Sequence, residues 1–285
     1  MNQAAPAIKL SSPATREFWE IEVLLEDPQL LVINKPARFL TSPDRYDPAR
    51  PNLMRLLHEG LAAGKAWATA RGLSYLANAH RLDFETTGVL LLAKDRPSLI
   101  TLANQFGSEI PQMSYLALVH GTPDEDEFSV NASLAADAFK LGMMRVSRIG
   151  KKSTTDFRVL EKFAGCSLLE CRPHTARPHQ IRVHLQHAGH PIYGDSLYGG
   201  DWLMLSKLKH GNYHLKRGRT ERPLISSLAL HSAKLELPHP ADGRPVRVES
   251  APPREMIVAL KYLRRYALPG GPAADPAAIE ADEPV

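Results

Sequence analysis

The 285-residue chain is 44% hydrophobic and carries a formal net charge of +4 at neutral pH. That is enough apolar material for one large domain or two small ones, and no apolar run is long enough to span a membrane. Met1 to Pro6 place no basic cluster ahead of an apolar stretch, so neither a signal nor a transit peptide is expected and the chain is assigned to the cytoplasm.

The charge is uneven. Residues 269–285 hold four acidic side chains and no Lys or Arg, which leaves Met1 to Leu268 at +8. A basic body suits a polyanionic partner bound through phosphates, although many proteins this basic bind no RNA. Residues 1–17, rich in Ala, Pro and Ser, are expected to be disordered, as is the acidic tail 269–285. The folded unit is then 18–268.

In chain order, Ile21 to Leu25 and Leu30 to Ile33 read as two strands joined by the turn Glu26-Asp27-Pro28-Gln29. Leu53, Leu56, Leu57 and Leu61 fall at helical spacing, and Gly64 to Asn78 is less regular. The polar stretch from His80 to Gly88 then runs into Val89-Leu90-Leu91-Leu92-Ala93, an apolar run that reads as a buried strand. Asp83 therefore sits in a loop at a core edge. It is either a turn or helix cap, which Asp favours, or a carboxylate held in place for chemistry.

Pro97 can open a helix with Leu99, Leu102 and Phe106 on one face, closed by Gly107. Met113 to His120 alternates as a strand, with Tyr115, Ala117 and Val119 on one side. A basic run from Lys140 to Lys152 reads as surface or as RNA contact. Further strands are expected at Thr154 to Leu160 and Cys166 to Arg172; Cys166 and Cys171 lie an odd number of residues apart, point to opposite faces and suit neither a disulfide nor a metal pair. Ile181, Leu185 and Ala188 give a helix with one buried side, stopped by Gly189, and His179 and Arg182 share another of its faces. Lys207 to Arg222 is irregular and basic. Leu228 to His231, Lys234 to Leu237 and Val246 to Val248 resume strands, and Pro253 opens a last helix with Met256, Ile257, Leu260 and Leu263 inward.

His80-Arg81-Leu82-Asp83, followed after two residues by Thr86, a second hydroxyl residue and Gly88, resembles the signature of the RluA-type RNA pseudouridine synthases. Ile33-Asn34-Lys35-Pro36 resembles the opening of that family's catalytic domain. His174 to Leu185 and the continuation Gly189-His190-Pro191-Ile192-Tyr193-Gly194-Asp195, then Tyr198-Gly199, resemble its second landmark, with Ala176 in place of Gly and Pro178 in place of Thr. The resemblance covers about Leu24 to Tyr266. It implies an α+β fold with a mixed, mostly antiparallel central sheet flanked by helices, and cofactor-free, metal-free isomerisation of uridine to pseudouridine in ribosomal or transfer RNA by a monomer.

Asp83 then stands at the catalytic nucleophile's position, with Arg182 expected beside it in a bidentate pair. Tyr115 matches a tyrosine that acts as proton acceptor or stacking platform, while the lysine two residues before it is Met113 here. Arg81 matches the arginine that takes the space left by a flipped uridine. Arg177 and His179 are assigned to substrate binding, and Lys216, Arg217 and Arg219 to the RNA backbone. Two rival readings stand beside this one. The first is a catalytically inactive RNA-binding protein on the same fold. The second is a metal-dependent hydrolase built on His174, His179, His184, His187 and His190, which lack the His-Glu-x-x-His pattern.

Overall fold

The structure, a computed structural model, describes residues 7–44, 47–209, 213–215 and 218–268. The chain opens on a hairpin, β1 (Ile8–Ser12) and β2 (Glu17–Ile21), and continues through β3 (Val23–Glu26) and β4 (Leu30–Lys35). Helices α1 (Leu53–Ala62) and α2 (Ala66–Thr69) lead to β5 (Ala77–Asn78), β6 (Thr87–Ala93), α3 (Arg96–Gly107) and β7 (Gln112–His120). There follow β8 (Glu127–Asn131), the small hairpin β9 (Leu134–Ala136) and β10 (Met144–Val146), and the long pair β11 (Thr154–Phe163) and β12 (Cys166–Pro173). The chain closes with α4 (Gln180–His187), α5 (Leu205–Leu208), β13 (Leu230–Pro238), β14 (Pro245–Glu249) and α6 (Arg254–Tyr266).

Ten strands form one sheet in the order β3-β4-β6-β13-β7-β12-β11-β8, with β14 on β13 and β5 on β6. Every pairing is antiparallel except β6 with β13. The apolar run of β6 is continuous because both of its faces are covered. Val89, Leu91 and Ala93 pack with Leu30, Val32 and Leu102 of α3, while Leu90 and Leu92 pack with Leu31, Ile33 and the α1 side chains Leu53 and Leu57. An amphipathic edge strand would alternate; a central strand between two layers does not. Helix α1 starts where Asn52 accepts from the Arg55 N–H, and α3 where Asp95 accepts from the Ser98 N–H at 2.7 Å.

Four expectations need correction. Residues 8–12, placed in a disordered segment, are β1, whose Ile8 and Leu10 are buried while Lys9 and Ser11 face solvent; the Ala and Pro before them hide a five-residue alternation. The strand expected at Ile21 to Leu25 is two strands, since Ile21 ends β2 and Val23 begins β3. The strands expected at Leu228 to His231 and Lys234 to Leu237 are one, β13, which begins only at Leu230 and has an irregularity between Ser232 and Lys234 in its pairing with β7. In α6 the buried positions are Met256, Ala259, Leu260 and Leu263, and Ile257 is exposed. The first set keeps i, i+3, i+4, i+7 spacing, and Ile257 falls off that stripe. Cys166 and Cys171 are both free and buried. The tail 269–285 lies outside the described residues.

Candidate active site

The loop before β6 carries Asp83, and three features fix its backbone. The Thr41 hydroxyl donates to the Leu82 carbonyl at 3.0 Å, and the Phe39 N–H donates to the Phe84 carbonyl at 3.0 Å. Lys35, at the end of β4, is fully buried, and its ammonium donates to the carbonyls of Pro36, Phe84 and Thr86 at 2.9, 3.2 and 2.8 Å. Burial pulls that amine down from 10.5 to about 7, while the charge of Asp83 pulls the other way. On the far side of the loop Gly88 adopts a φ of +108°, and a Cβ there would lie 2.1 Å from the Ser232 carbonyl of β13. Only glycine lets the two strands meet at this point.

Asp83 faces a cleft of about 760 Å³ whose lining includes Arg81, Met113, Tyr115, Arg177, His179 and Arg182. Its carboxylate is about a quarter exposed, and both of its close partners address the same oxygen: Arg182 Nη1 donates to Oδ2 at 3.3 Å and His179 Nε2 lies 4.0 Å from it. Among the described residues no donor reaches Oδ1. The sequence therefore located the pair Asp83 and Arg182 and misread its form. A bidentate contact was expected; the structure gives a single N–H.

Another edge of the Arg182 guanidinium is taken by Asp195, which sequence reading did not assign. Nε donates to Oδ2 and Nη2 to Oδ1 of Asp195, both at 2.8 Å. The guanidinium also lies over the Tyr198 ring, 4.9 Å from its centroid. Burial opposes its charge, but the hydrogen bonds to Asp195 and then the charge of Asp83 outweigh burial and hold the arginine above its ordinary range. The only signal for Asp195 in the sequence was its place in the Gly-Asp and Tyr-Gly landmark.

His179 caps α4 in a left-handed conformation, φ 53°, a region His enters more readily than most side chains. Its Nδ1 is 2.7 Å from the Tyr198 hydroxyl, whose oxygen also accepts from the Met144 N–H at 2.9 Å. The phenol proton is thus free to go to Nδ1, which leaves the imidazole N–H on Nε2, facing Asp83. Burial lowers the pKa of His179, so the neutral ring is favoured. Gln180, also missed, is buried and holds the loop before α4: its carbonyl oxygen accepts from the Thr175 hydroxyl and the Arg177 N–H, and its amide donates to Thr154 and Thr155.

Tyr115 lies on β7, buried, with its hydroxyl 3.6 Å from the Met113 sulfur. Burial, then the charge of Asp83, raise the phenol far above its usual range, so it is neutral. Arg81 is exposed at the cleft, and its guanidinium makes no hydrogen bond or ion pair among the described residues. Arg177 also lines the cleft, but its Nε donates to the Lys152 carbonyl. Arg219 is exposed and does not line this cleft, and Lys216 and Arg217 lie outside the described residues.

The five histidines of the rival reading do not converge. His174 pairs with Asp156, His179 with Tyr198, His184 with Thr155 and Ser153, and His190 with the His120 carbonyl, while His187 is exposed. No group of three or more His, Cys, Asp or Glu suited to hold a metal ion is found among the described residues. Nor is any described helix long and apolar enough to cross a membrane.

A family model for RNA pseudouridylate synthase matches residues 29–187. Among curated proteins, the ribosomal large subunit pseudouridine synthase C of Salmonella typhi is 37% identical over 247 residues, which is 86% of this chain and 70% of that protein. The ribosomal large subunit pseudouridine synthase D of Xylella fastidiosa is 34% identical over 86% of this chain and 70% of its own length. Among solved structures, human RNA pseudouridylate synthase domain containing 4 superposes with a TM-score of 0.64 at 26% identity, covering 85% of this chain and 92% of the other.

Proposed function

The chain belongs to the RNA pseudouridylate synthase family, and from that membership and the cleft geometry we propose that it converts uridine to pseudouridine in ribosomal RNA of the large subunit, with Asp83 as the reacting carboxylate. The relatives named for the large ribosomal subunit support that substrate over transfer RNA. The observation that carries the reading is the state of Asp83. One of its oxygens is held by Arg182, no described donor reaches the other, and the residue lines the cleft.

The reaction breaks the bond between ribose C1′ and N1 of uracil and joins C1′ to C5. N1 gains a proton, C5 loses one, and no electrons leave the system. Oδ1 of Asp83 can add to the base or to the sugar, or can stabilise positive charge on the ribose. Tyr115, neutral and buried beside it, supports stacking and hydrogen bonding to the uracil better than it supports a standing phenolate base. The target uridine must leave its stack, at a cost of a few kcal/mol. Arg81, its guanidinium free of partners among the described residues, is suited to take its place and touch phosphate, with Arg177 and His179 lining the path.

Asp83→Asn removes charge with little change in shape. Incubated with a large-subunit RNA transcript, this variant is expected to form no pseudouridine while keeping its fold and RNA affinity; turnover near the wild-type rate would overturn the assignment. Mapping pseudouridine across total RNA with and without the gene identifies the uridine. The same reading extends to Lys216, Arg217 and Arg219 as backbone contacts. Neutralising all three is expected to weaken binding and to remove roughly 0.7 to 0.9 from the log–log salt slope per lost contact. An unchanged slope assigns them to a solvated surface.

A further inference from the structure

We propose that Tyr198 is a positioning residue for the isomerisation: its hydroxyl occupies Nδ1 of His179, so that the ring stays uncharged and presents its Nε2–H to Asp83. The inference rests on the reading of Asp83 as the reacting carboxylate.

The direction of the contact follows from counting protons. His179 Nδ1 and the Tyr198 oxygen are 2.7 Å apart, and the same oxygen already accepts from the Met144 N–H at 2.9 Å. Were Nδ1 also a donor, that oxygen would take two N–H groups and the phenol proton would be left without an acceptor, in a residue only 1% exposed. The phenol therefore donates to Nδ1, and the one proton of the neutral ring sits on Nε2, 4.0 Å from Asp83 Oδ2. A second proton could enter only at Nδ1, where it would meet the phenol proton head on. The hydroxyl thus opposes the imidazolium, and burial acts in the same sense. Of the charges that face the ring, Asp83 and Asp195 favour its protonation and Arg182 resists it. An imidazolium here would be a second cation on the Asp83 oxygen that Arg182 already holds. A neutral donor leaves more of that carboxylate's charge for the substrate.

The backbone sets both rings. His179 takes the N-cap of α4, where its carbonyl accepts from the Val183 N–H at 3.0 Å, but its side chain makes no capping bond and the imidazole is left to Tyr198. The Tyr198 N–H donates to the Asp195 carbonyl at 3.2 Å, and its ring packs with Leu134 and Val183 beside Met144 and Val146 of the β9–β10 hairpin. The two rings meet edge to face, with an interplanar angle of 82° and centroids 5.6 Å apart. The N–H that orients the phenol comes from β10, which pairs with β9 in a sheet of its own, Met144 opposite Ala136. A three-residue strand outside the main sheet thereby decides which nitrogen of a cleft histidine carries the proton.

The test uses the full chain with 15N-labelled histidine, the His179 signals being those lost in His179→Asn. In the wild type at neutral pH the spectrum is expected to show an unprotonated, hydrogen-bonded Nδ1 and a protonated Nε2, with a titration midpoint below 6.5, the ordinary value for a histidine. Tyr198→Phe keeps the ring and removes the hydroxyl, and its His179 midpoint is expected to rise towards 6.5. Single-turnover rates of the two proteins at saturating transcript are expected to agree closely near pH 8 and to differ by about tenfold near pH 5.5, where a ring with a midpoint near 6.5 is about nine-tenths charged. A wild-type His179 that carries its proton on Nδ1, or is already charged at neutral pH, overturns the inference, and this result needs no Tyr198 variant to fold. So does a Tyr198→Phe protein whose His179 midpoint is unmoved, or whose rate falls equally at both pH values as a packing defect would make it. An active Asp83→Asn protein would instead sink the functional reading, an outcome distinct from all of these.

Discussion

Replacing Arg182 with Met separates the two carboxylates by their energetic stake in it. The change keeps a long side chain in a nearly buried slot and removes the charge. Asp195, 1% exposed, is left with the Tyr198 N–H at 3.3 Å as its remaining side-chain donor. Stranding a buried charge in this way typically costs about 3 to 5 kcal/mol. For a folded unit of this size each kcal/mol moves the melting point by roughly 2–4 °C, so a drop of roughly 6–20 °C is expected in a thermal-unfolding scan. Adding Asp195→Asn removes the stranded charge and is expected to recover most of the loss, leaving about 1–3 kcal/mol for an imperfectly paired amide. Adding Asp83→Asn in its place is expected to recover little, because Asp83 is 28% exposed and water can solvate it. If Asp83→Asn rescues more than Asp195→Asn does, or if every effect simply adds, the fork does not rest on Asp195 and the reasoning fails.

Tyr115→Phe keeps the ring and drops the hydroxyl, and is expected to slow turnover strongly with RNA affinity retained; Tyr115→Ala is expected to lose both, and normal turnover by the Phe variant would leave the side chain a packing role alone. His179→Asn preserves the left-handed backbone, which Asn also adopts, and removes the ring between Tyr198 and Asp83. Its unfolding midpoint is expected to stay near wild type while the single-turnover rate falls, and an unaltered rate would remove His179 from the site. Lys35 gives a pH signature: below about 7 both folded and unfolded chains hold its proton and the full cost of burying the ammonium is felt, whereas between 7 and 10.5 only the unfolded chain holds it. The unfolded state then binds more protons, so this group's contribution to stability rises with pH across that window. The wild-type denaturant midpoint minus that of Lys35→Met should climb accordingly, and a difference flat in pH would show that the amine keeps its ordinary affinity for protons.

Much of the sheet could be read from the sequence because its period is written in single residues. The run Val89 to Ala93, the alternation of Met113 to His120 and the spacing of Ile181, Leu185 and Ala188 each announced a strand or helix that the structure contains. Hairpin β1–β2 escaped because its five-residue strand follows a stretch with disordered composition, and β9–β10 because three-residue strands carry too little pattern. At the site, Asp83, Tyr115, His179 and Arg182 were assigned from the family resemblance, and the structure brings all four to one cleft. Asp195, Gln180 and Lys35 were not, and for one reason. Each lies inside a landmark of the resemblance but acts through hydrogen bonds to partners that the landmark does not name, and a buried Asp, Gln or Lys carries no local mark of which groups it will hold.

The parallel contact between β6 and β13 has a consequence in time. Thr87 pairs with His231 and Gly88 with Ser232, and the hydroxyl of Thr87 meets the His231 ring across 144 residues of chain. A ribosome adding about 5–20 residues per second would deliver that partner strand roughly 7–30 seconds after Thr87 itself. Contacts this distant in sequence also form slowly once both strands exist. For that interval the nascent chain holds β4, β6 and the Asp83 loop without the strand that closes over Gly88. The Asp83 loop is therefore among the last parts of the molecule to be set, since the strand against which it ends arrives near the close of synthesis.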